Sequence, residues 1–193
     1  KPNYAAALFD RPEPTFRKEK YEAYKAQRPA APDELISQII EAHNFFSEFG
    51  IKTFEKPGFE GDDCIATLAE KFKHVPDLKV VILTGDMDTM QLVEGEKVVV
   101  RTFKKGISDT MIYDENAVIA RYGLCPNQMT DYKALVGDPS DNIKGVPGVG
   151  PNTTATLLQE FETLENIYKN LGKIKIGEKL KTYEKEAFLS KEL

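Results

Sequence analysis

The sequence predicts an α/β fold, a parallel sheet flanked by helices, followed by an all-helical region. Two observations lead to this fold class. Short apolar runs rich in β-branched and aromatic residues alternate with helical patterns in the first half of the chain, which is typical of a parallel sheet. From Asp114 onward, helical patterns dominate. With 193 residues, 41% of them hydrophobic, the chain is long enough to bury a core.

The first elements are a short strand, a polar helix and an amphipathic helix. Residues 4–9 form an apolar run that ends in Asp10, and its length and aromatic content favour a buried strand. Residues 16–28 are rich in Lys, Arg, Glu and Tyr and predict a polar helix. From Asp33, apolar residues recur at helical spacing, with Asp33 as the expected N-cap and Gly50 as the stop.

The later elements complete the sheet and begin the helical region. Strands are predicted at residues 51–55, 80–83 and 97–103, with a helix at residues 62–72 after the first of them. Residues 110–113 are predicted to form a hairpin-like return. Asp114 is then placed to cap a helix over residues 115–122 that Gly123 ends. We therefore expect two domains, a parallel-sheet core at 1–112 and a helical subdomain at 113–193.

The composition narrows the class of protein. No apolar run approaches the roughly 20 residues of a membrane helix, so we expect a soluble cytoplasmic protein without membrane contacts. Cys64 and Cys125 form no C-x-x-C pair, which predicts neither zinc nor a disulfide framework. The net charge of −5 disfavours phosphate binding. If eight of the carboxylates form a metal site, as considered below, the rest of the protein has a net charge of +3. That charge is enough for a basic surface that faces nucleic acid.

Acidic residues cluster at predicted junctions between elements. They follow strands or lead into helices, where a parallel sheet places its ligand sites. The clusters are Glu60-Gly61-Asp62-Asp63, Asp86-Met87-Asp88 and Asp138-Pro139-Ser140-Asp141, with Asp10 at the end of the first strand. Any one cluster is readily explained as helix caps or solvated surface. Their number favours a shared metal site.

Gathered carboxylates need a cation. Two unit charges 5 Å apart repel by about 3 kcal/mol at an effective dielectric of 20. All-oxygen ligands favour two Mg²⁺ or Mn²⁺ ions over zinc, which prefers His and Cys. Such a pair of ions can activate water and stabilise the departing oxygen in phosphodiester hydrolysis.

Two further segments indicate nucleic-acid binding. Residues 145–150, Gly-Val-Pro-Gly-Val-Gly, precede a predicted helix at 152–160, which is the pattern of a helix-hairpin-helix whose amides reach phosphates. A plain turn between helices is the alternative. In residues 16–28, Lys and Arg could hold the scissile phosphate and Tyr24 could stack on a base. A solvated charged face is the alternative there.

Together the motifs resemble one family, the 5′-nuclease domain of bacterial DNA polymerase I, which is related to flap endonucleases and built on a PIN-like sheet. The resemblance covers nearly the whole chain. The matching segments are residues 9–10, 16–29, 58–63, 84–88, 137–142 and 145–150.

The resemblance implies residue roles. The catalytic metal ligands would be Asp10, Glu60, Asp62, Asp63, Asp86, Asp88, Asp138 and Asp141. Lys25 and Arg28 would act at the scissile phosphate, and the residues implied to contact DNA are Arg17, Tyr24, Lys25, Arg28, Gly145, Val146, Gly148, Val149 and Gly150. The family commonly holds a monovalent cation, K⁺, at the hairpin.

The resemblance also implies an activity and a setting. The reaction would be hydrolysis of DNA at a 5′ flap, nick or free 5′ end, in primer removal and repair. We expect a monomer near the bacterial nucleoid, with a polymerase domain in the same full-length chain.

The sequence departs from the family at two points. The family carries another metal-binding Asp on a strand upstream of Asp10, and a basic residue where Met87 stands. We therefore weigh an impaired DNA-junction binding module as an alternative. A haloacid-dehalogenase-like phosphatase is a second alternative, because residues 80–83 followed by Asp86-Met87-Asp88-Thr89 imitate its nucleophile motif. It leaves the Glu60 cluster and the glycine hairpin unexplained.

Overall fold

The structure is a computed structural model that describes residues 2–106 and 108–193. The chain forms two compact units, Lys1–Leu68 and Ala69–Leu193, and the boundary falls inside helix α3 (Gly61–Lys73). No helix in the described part of the chain is both long enough and apolar enough to cross a membrane.

The first unit contains a parallel strand pair and two helices before α3. Strand β1 (Ala6–Leu8) lies parallel to β2 (Lys52–Phe54), and between them come α1 (Phe16–Lys20) and α2 (Asp33–Glu48). Beyond β1, the amide of Phe9 donates to the carbonyl of Phe54 at 3.0 Å. The two predicted strands are confirmed, with shorter bounds than the sequence indicated.

The polar helix expected at residues 16–28 is much shorter than predicted. It ends at Lys20, Tyr21 is extended with φ −140°, and Lys25 has the left-handed φ of 53°. A short helix without an apolar stripe gains little from packing, so local turns replace its second half. The N-cap of α2 is Pro32, and Asp33 lies in its first turn. Gly50 follows α2 with φ 70°, as expected of a C-terminal stop.

The second unit begins with the remaining sheet. Strand β3 (Val80–Leu83) lies parallel to β4 (Val98–Lys105), which pairs antiparallel with β5 (Asp109–Tyr113). The predicted parallel pairing and the hairpin-like return are both confirmed. Between β3 and β4 lies a 3₁₀ helix, Met87–Leu92, which begins inside the predicted Asp86-Met87-Asp88 cluster with Asp86 as its N-cap.

Helices form the rest of the second unit. Helix α4 (Glu115–Tyr122) begins where the Asp114 carboxylate accepts from the Ala117 amide at 2.9 Å and ends at left-handed Gly123, as predicted. The remaining helices are α5 (Met129–Val136), α6 (Pro151–Phe161), α7 (Leu164–Lys169), α8 (Gly177–Thr182) and α9 (Glu184–Glu192). Helix α5 packs against α6 and α9 over a buried core that includes Leu135, Leu158 and Ile167.

Candidate metal and nucleic-acid binding site

Asp10 and the start of α3 lie side by side in the first unit. Asp10 follows β1, and its Oδ1 accepts from the Gly61 amide at 2.5 Å. A Cβ built on Gly61 would lie 3.3 Å from that oxygen, so glycine permits the close approach. The first strand thus delivers its terminal carboxylate to the Glu60 cluster, as the sequence predicted.

Arg17 holds Asp63 by a two-pronged ion pair. Nη1 and Nη2 of Arg17 donate to the two carboxylate oxygens of Asp63, each at 2.7 Å, and the Glu60 amide donates to Asp63 Oδ2 at 2.8 Å. Burial alone would raise the pKa of Asp63, but the Arg17 and Glu60 hydrogen bonds outweigh it and hold the pKa below its ordinary value. Arg17 was predicted to contact DNA, but in this structure its guanidinium is paired with the Asp63 carboxylate.

One carboxylate oxygen of Glu60 accepts hydrogen bonds from two residues of the segment 16–28. Lys25 Nζ and the Tyr24 hydroxyl both donate to Glu60 Oε2, at 2.9 and 3.0 Å. The left-handed backbone at Lys25 is uncommon for a residue other than glycine. Tyr24 is only 4% exposed, so in this conformation its ring offers no face to a base, contrary to the stacking role predicted from the sequence.

In the second unit, Asp86 shapes the turn after β3. Its Oδ1 accepts from the Asp88 amide at 2.8 Å, which caps the 3₁₀ helix, and its own amide donates to Thr84 Oγ1 at 3.0 Å. Burial raises the pKa of Asp88, with help from the carboxylates of Asp86 and Asp138, and Lys133 offsets only part of that rise.

Lys133 joins two of the predicted acidic motifs. Its ammonium lies 2.7 Å from Asp88 Oδ1 and 2.7 Å from Asp138 Oδ2. The other oxygen of Asp138 accepts from the Ser140 amide at 2.8 Å and from the Ser140 hydroxyl at 2.6 Å. Burial would raise the pKa of Asp138, but Lys133 and Ser140 lower it to about 2. Asp88 and Asp138 thus converge on one positive charge, although they are 50 residues apart in sequence.

The two remaining predicted ligands are Asp62 and Asp141. Asp62 is half-buried in the first turn of α3, and the amide of Asp141 donates to the carbonyl of Asp138 at 3.2 Å. Within either unit, the described residues contain no group of three or more His, Cys, Asp or Glu side chains arranged to hold a metal ion.

The donors that are present fit a hard divalent cation. They are carboxylate oxygens, which Mg²⁺ and Mn²⁺ prefer, and Asp88 and Asp138 already share a single cationic group at 2.7 Å from each. Ammonium and guanidinium groups take up oxygens of Glu60, Asp63, Asp88 and Asp138. The carboxylates could hold a metal ion once those cations give up their oxygens.

The glycine hairpin connects α5 to α6 as a tightly packed loop. Gly145 and Gly148 have φ values of 58° and 73°. Val146 and Val149 are buried in the helical core, and their amides donate to Leu135 and Val146 carbonyls at 2.8 and 3.0 Å. These valines, predicted to contact DNA, therefore build the core instead, which leaves the Gly148 and Gly150 amides as the loop's candidates for phosphate contact.

Three residues of this site were missed by sequence reasoning. Lys133 stands five residues before Asp138 near the end of α5, and its position between two acidic motifs was the available signal. Ser140 carried a weaker signal as a hydroxyl inside the third cluster. Lys179, on α8, lies beside the hairpin, where a Cβ on Gly148 would stand 3.1 Å from its ammonium nitrogen. Nothing in its local sequence pointed to the hairpin.

Comparisons with protein families cover the whole chain. Residues 1–123 match the model of the 5′-3′ exonuclease N-terminal resolvase-like domain, and residues 124–193 match that of the 5′-3′ exonuclease C-terminal SAM fold. The predicted α/β fold followed by a helical subdomain is confirmed by this pair of matches.

Curated relatives are bacterial DNA polymerases I. The chain is 45% identical over its full length to DNA polymerase I of Caldicellulosiruptor bescii and covers 23% of it. Identity to the thermostable enzyme of Thermus thermophilus is 40%, over 96% of this chain and 22% of that protein. The chain thus spans between a fifth and a quarter of the length of these relatives.

Solved structures share the fold. A T5 5′-exonuclease structure with bound divalent zinc ions has a TM-score of 0.80 and 25% identity, and the match covers 98% of this chain and 73% of that one. The catalytic core of Rad2 in complex with DNA matches at a TM-score of 0.57 and 21% identity, over 89% of this chain and 56% of that one, which shows the fold alone. By its family matches and its motifs, this chain belongs to the 5′-3′ exonuclease family.

Proposed function

We propose that this chain is a structure-specific 5′-nuclease that hydrolyses DNA at 5′ ends and flaps with two divalent metal ions. The observation that carries the proposal is the convergence of Asp88 and Asp138 on one cation, because these residues come from separate acidic motifs of the family. Family membership over the full chain and a T5 5′-exonuclease neighbour that binds divalent metal ions support it.

The metal ligands in this proposal are those predicted from the sequence. They are Asp10, Glu60, Asp62, Asp63, Asp86, Asp88, Asp138 and Asp141. Mg²⁺ or Mn²⁺ bound there would supply an activated water and neutralise the departing oxygen. Ser140 keeps one oxygen of Asp138 in place, and the Gly61 amide does the same for Asp10.

The basic groups of the proposal bind and orient the DNA. Lys25 and Arg28 hold the phosphate at the scissile bond, and Lys25 exchanges its contact with Glu60 for that phosphate. The hairpin amides of Gly148 and Gly150, with Lys179 beside them, bind the duplex backbone. A K⁺ ion at the hairpin belongs to the same proposal.

The setting of the proposed enzyme follows from its relatives. Because the related DNA polymerases I are longer than this chain, we infer that a polymerase domain belongs to the same full-length protein. We place the protein as a monomer in the bacterial cytoplasm, beside the nucleoid. Its DNA partner carries a flap, a nick or a free 5′ end.

The test is cleavage of a labelled 5′-flap DNA by the whole chain with and without Mg²⁺. We expect metal-dependent release of the flap. Asp86→Ala and Asp138→Ala are expected to abolish cleavage while DNA binding persists, and Asp109→Ala, an exposed residue at the start of β5, serves as the control that still cuts. Binding without metal-dependent cutting would favour an inert junction-binding module. Release of phosphate from small phosphomonoesters would favour the phosphatase.

A further inference from the structure

Lys133 occupies the point at which two predicted metal ligands meet. Its ammonium is equally close, at 2.7 Å, to an oxygen of Asp88 and an oxygen of Asp138. Both of these carboxylates belong to the ligand set, and Lys133 does not. A single lysine therefore satisfies two acidic motifs that the family assigns to metal binding.

The backbone under Lys133 is fixed in place. Its carbonyl accepts from the Gly137 amide at 2.7 Å and from the Ser190 hydroxyl at 3.3 Å, and the neighbouring Ala134 and Leu135 are fully buried. The flexible four-carbon stem of the lysine is thus the part that is able to move. The ammonium can leave the two carboxylates without any change in α5.

Other hydrogen bonds hold the Asp138 carboxylate and the backbone of Asp88. Asp138 Oδ1 is fixed by Ser140, and the amide of Asp88 is held by the Asp86 carboxylate. One oxygen of each carboxylate contacts the same lysine ammonium. Without a cation there, two carboxylates this close would repel each other.

We propose that Lys133 is a positioning residue that stands in for the metal ion, holding Asp88 and Asp138 together until a divalent ion displaces its ammonium. The inference rests on the proposed function, because it takes these carboxylates as metal ligands. Metal affinity is then set by a competition between the lysine and the ion. Removing the lysine charge leaves the carboxylates unneutralised, so it destabilises the metal-free protein and strengthens metal binding.

The test is a Mn²⁺ titration of the whole chain, without DNA, by electron paramagnetic resonance, together with thermal unfolding in the presence and absence of Mn²⁺. For Lys133→Met we expect about tenfold tighter Mn²⁺ binding, equivalent to about 1.4 kcal/mol. We also expect a lower unfolding temperature without metal and a larger increase on adding Mn²⁺. Lys133→Arg, which keeps the charge, is expected to restore affinity toward that of the unmodified chain.

A matched control exists elsewhere in the same unit. Lys191 also lies between two carboxylates, 2.6 Å from Asp131 and 2.8 Å from Glu165, but neither belongs to the predicted ligand set. Lys191→Met is expected to lower the unfolding temperature equally with and without Mn²⁺ and to leave Mn²⁺ affinity unchanged. A purely structural role for Lys133 would give this same pattern.

The outcomes separate the inference from the function on which it rests. Unchanged or weaker Mn²⁺ binding by Lys133→Met, in a chain that binds Mn²⁺ and cuts flap DNA, would overturn the stand-in role alone. Absence of both Mn²⁺ binding and cleavage in the unmodified chain would overturn the proposed function. If Lys133→Met does not fold, Lys133→Gln keeps a hydrogen-bond donor without the charge and is expected to show the same tighter binding.

Discussion

Replacement of Gly145 by alanine is expected to destabilise the second unit severely. The residue has φ 58°, and a Cβ there would lie 2.3 Å from the amide nitrogen of Gly137 and 2.6 Å from the carbonyl carbon of Val136. Both obstacles are backbone atoms, so no side chain can rotate away. The loop must move from the end of α5, which breaks the 2.8 Å hydrogen bond from the Val146 amide to Leu135.

The cost follows from three contributions. The left-handed backbone costs alanine about 1 kcal/mol, the steric overlap about 2 kcal/mol, and the lost hydrogen bond about 1 kcal/mol. The total is about 4 kcal/mol. A loss of that size is a large part of the stability of a typical domain. Because the same movement displaces Asp138, which follows Gly137 directly, flap cleavage should fall with stability.

A graded series of glycine variants isolates the steric part of this cost. Gly148 has φ 73°, and its nearest obstacle is the flexible Lys179 ammonium at 3.1 Å, so Gly148→Ala should cost only about 1 kcal/mol. Gly172 has open space around it and no positive φ, so Gly172→Ala should change stability by less than about 1 kcal/mol. Urea unfolding measures all three. Equal losses for Gly145→Ala and Gly148→Ala would refute the backbone-overlap argument.

Two further predictions concern stability at alkaline pH and DNA binding. The pKa of Tyr168 is raised from 10.0 to about 12 by burial and by the carboxylates of Glu184 and Glu186. The neutral phenol therefore stabilises the fold below pH 10, and this contribution is lost as the pH rises toward 12. The difference in unfolding free energy between the unmodified chain and Tyr168→Phe should therefore shrink by about 2 kcal/mol between pH 9 and 12, and a constant difference would contradict it. Lys179→Ala should weaken binding to nicked DNA and reduce the slope of log affinity against log salt concentration by about one, because one phosphate contact is lost. Lys169→Ala, an exposed lysine on α7, is the control, and an equal effect of both variants would remove Lys179 from the binding surface.

Elements defined by local interactions could be predicted from the sequence. Helix α4 has the predicted bounds because a capping Asp114 and a left-handed Gly123 act within one turn of its ends. Strand β3 matches its prediction because its β-branched run is short and bounded by turn residues. The polar helix at residues 16–28 was wrong beyond Lys20, because contacts to Glu60 and Asp63 decide that segment and lie more than 30 residues away.

The acidic residues of the candidate site could be predicted from the sequence, but the basic residues that pair with them could not. Carboxylates that follow strands, such as Asp10 after β1 and Asp86 after β3, can be found from a sequence pattern, because ligand sites in parallel sheets lie at the carboxyl ends of strands. The partner that each carboxylate takes depends on tertiary contacts. The position of Lys133 between two acidic motifs does not indicate that its ammonium contacts both of them, and nothing local indicates that Arg17 pairs with Asp63. The division into domains at 112 and 113 stays a prediction.

The backbone of Lys25 carries a consequence for how the basic segment responds to DNA. A lysine gains nothing intrinsic from φ 53°, so its contact with Glu60 helps to keep that torsion in place. In the proposed function, a DNA phosphate replaces Glu60 as the partner of this ammonium, which removes one contact that supports the torsion. Binding of the substrate would then be coupled to a change in the turn that leads to Arg28.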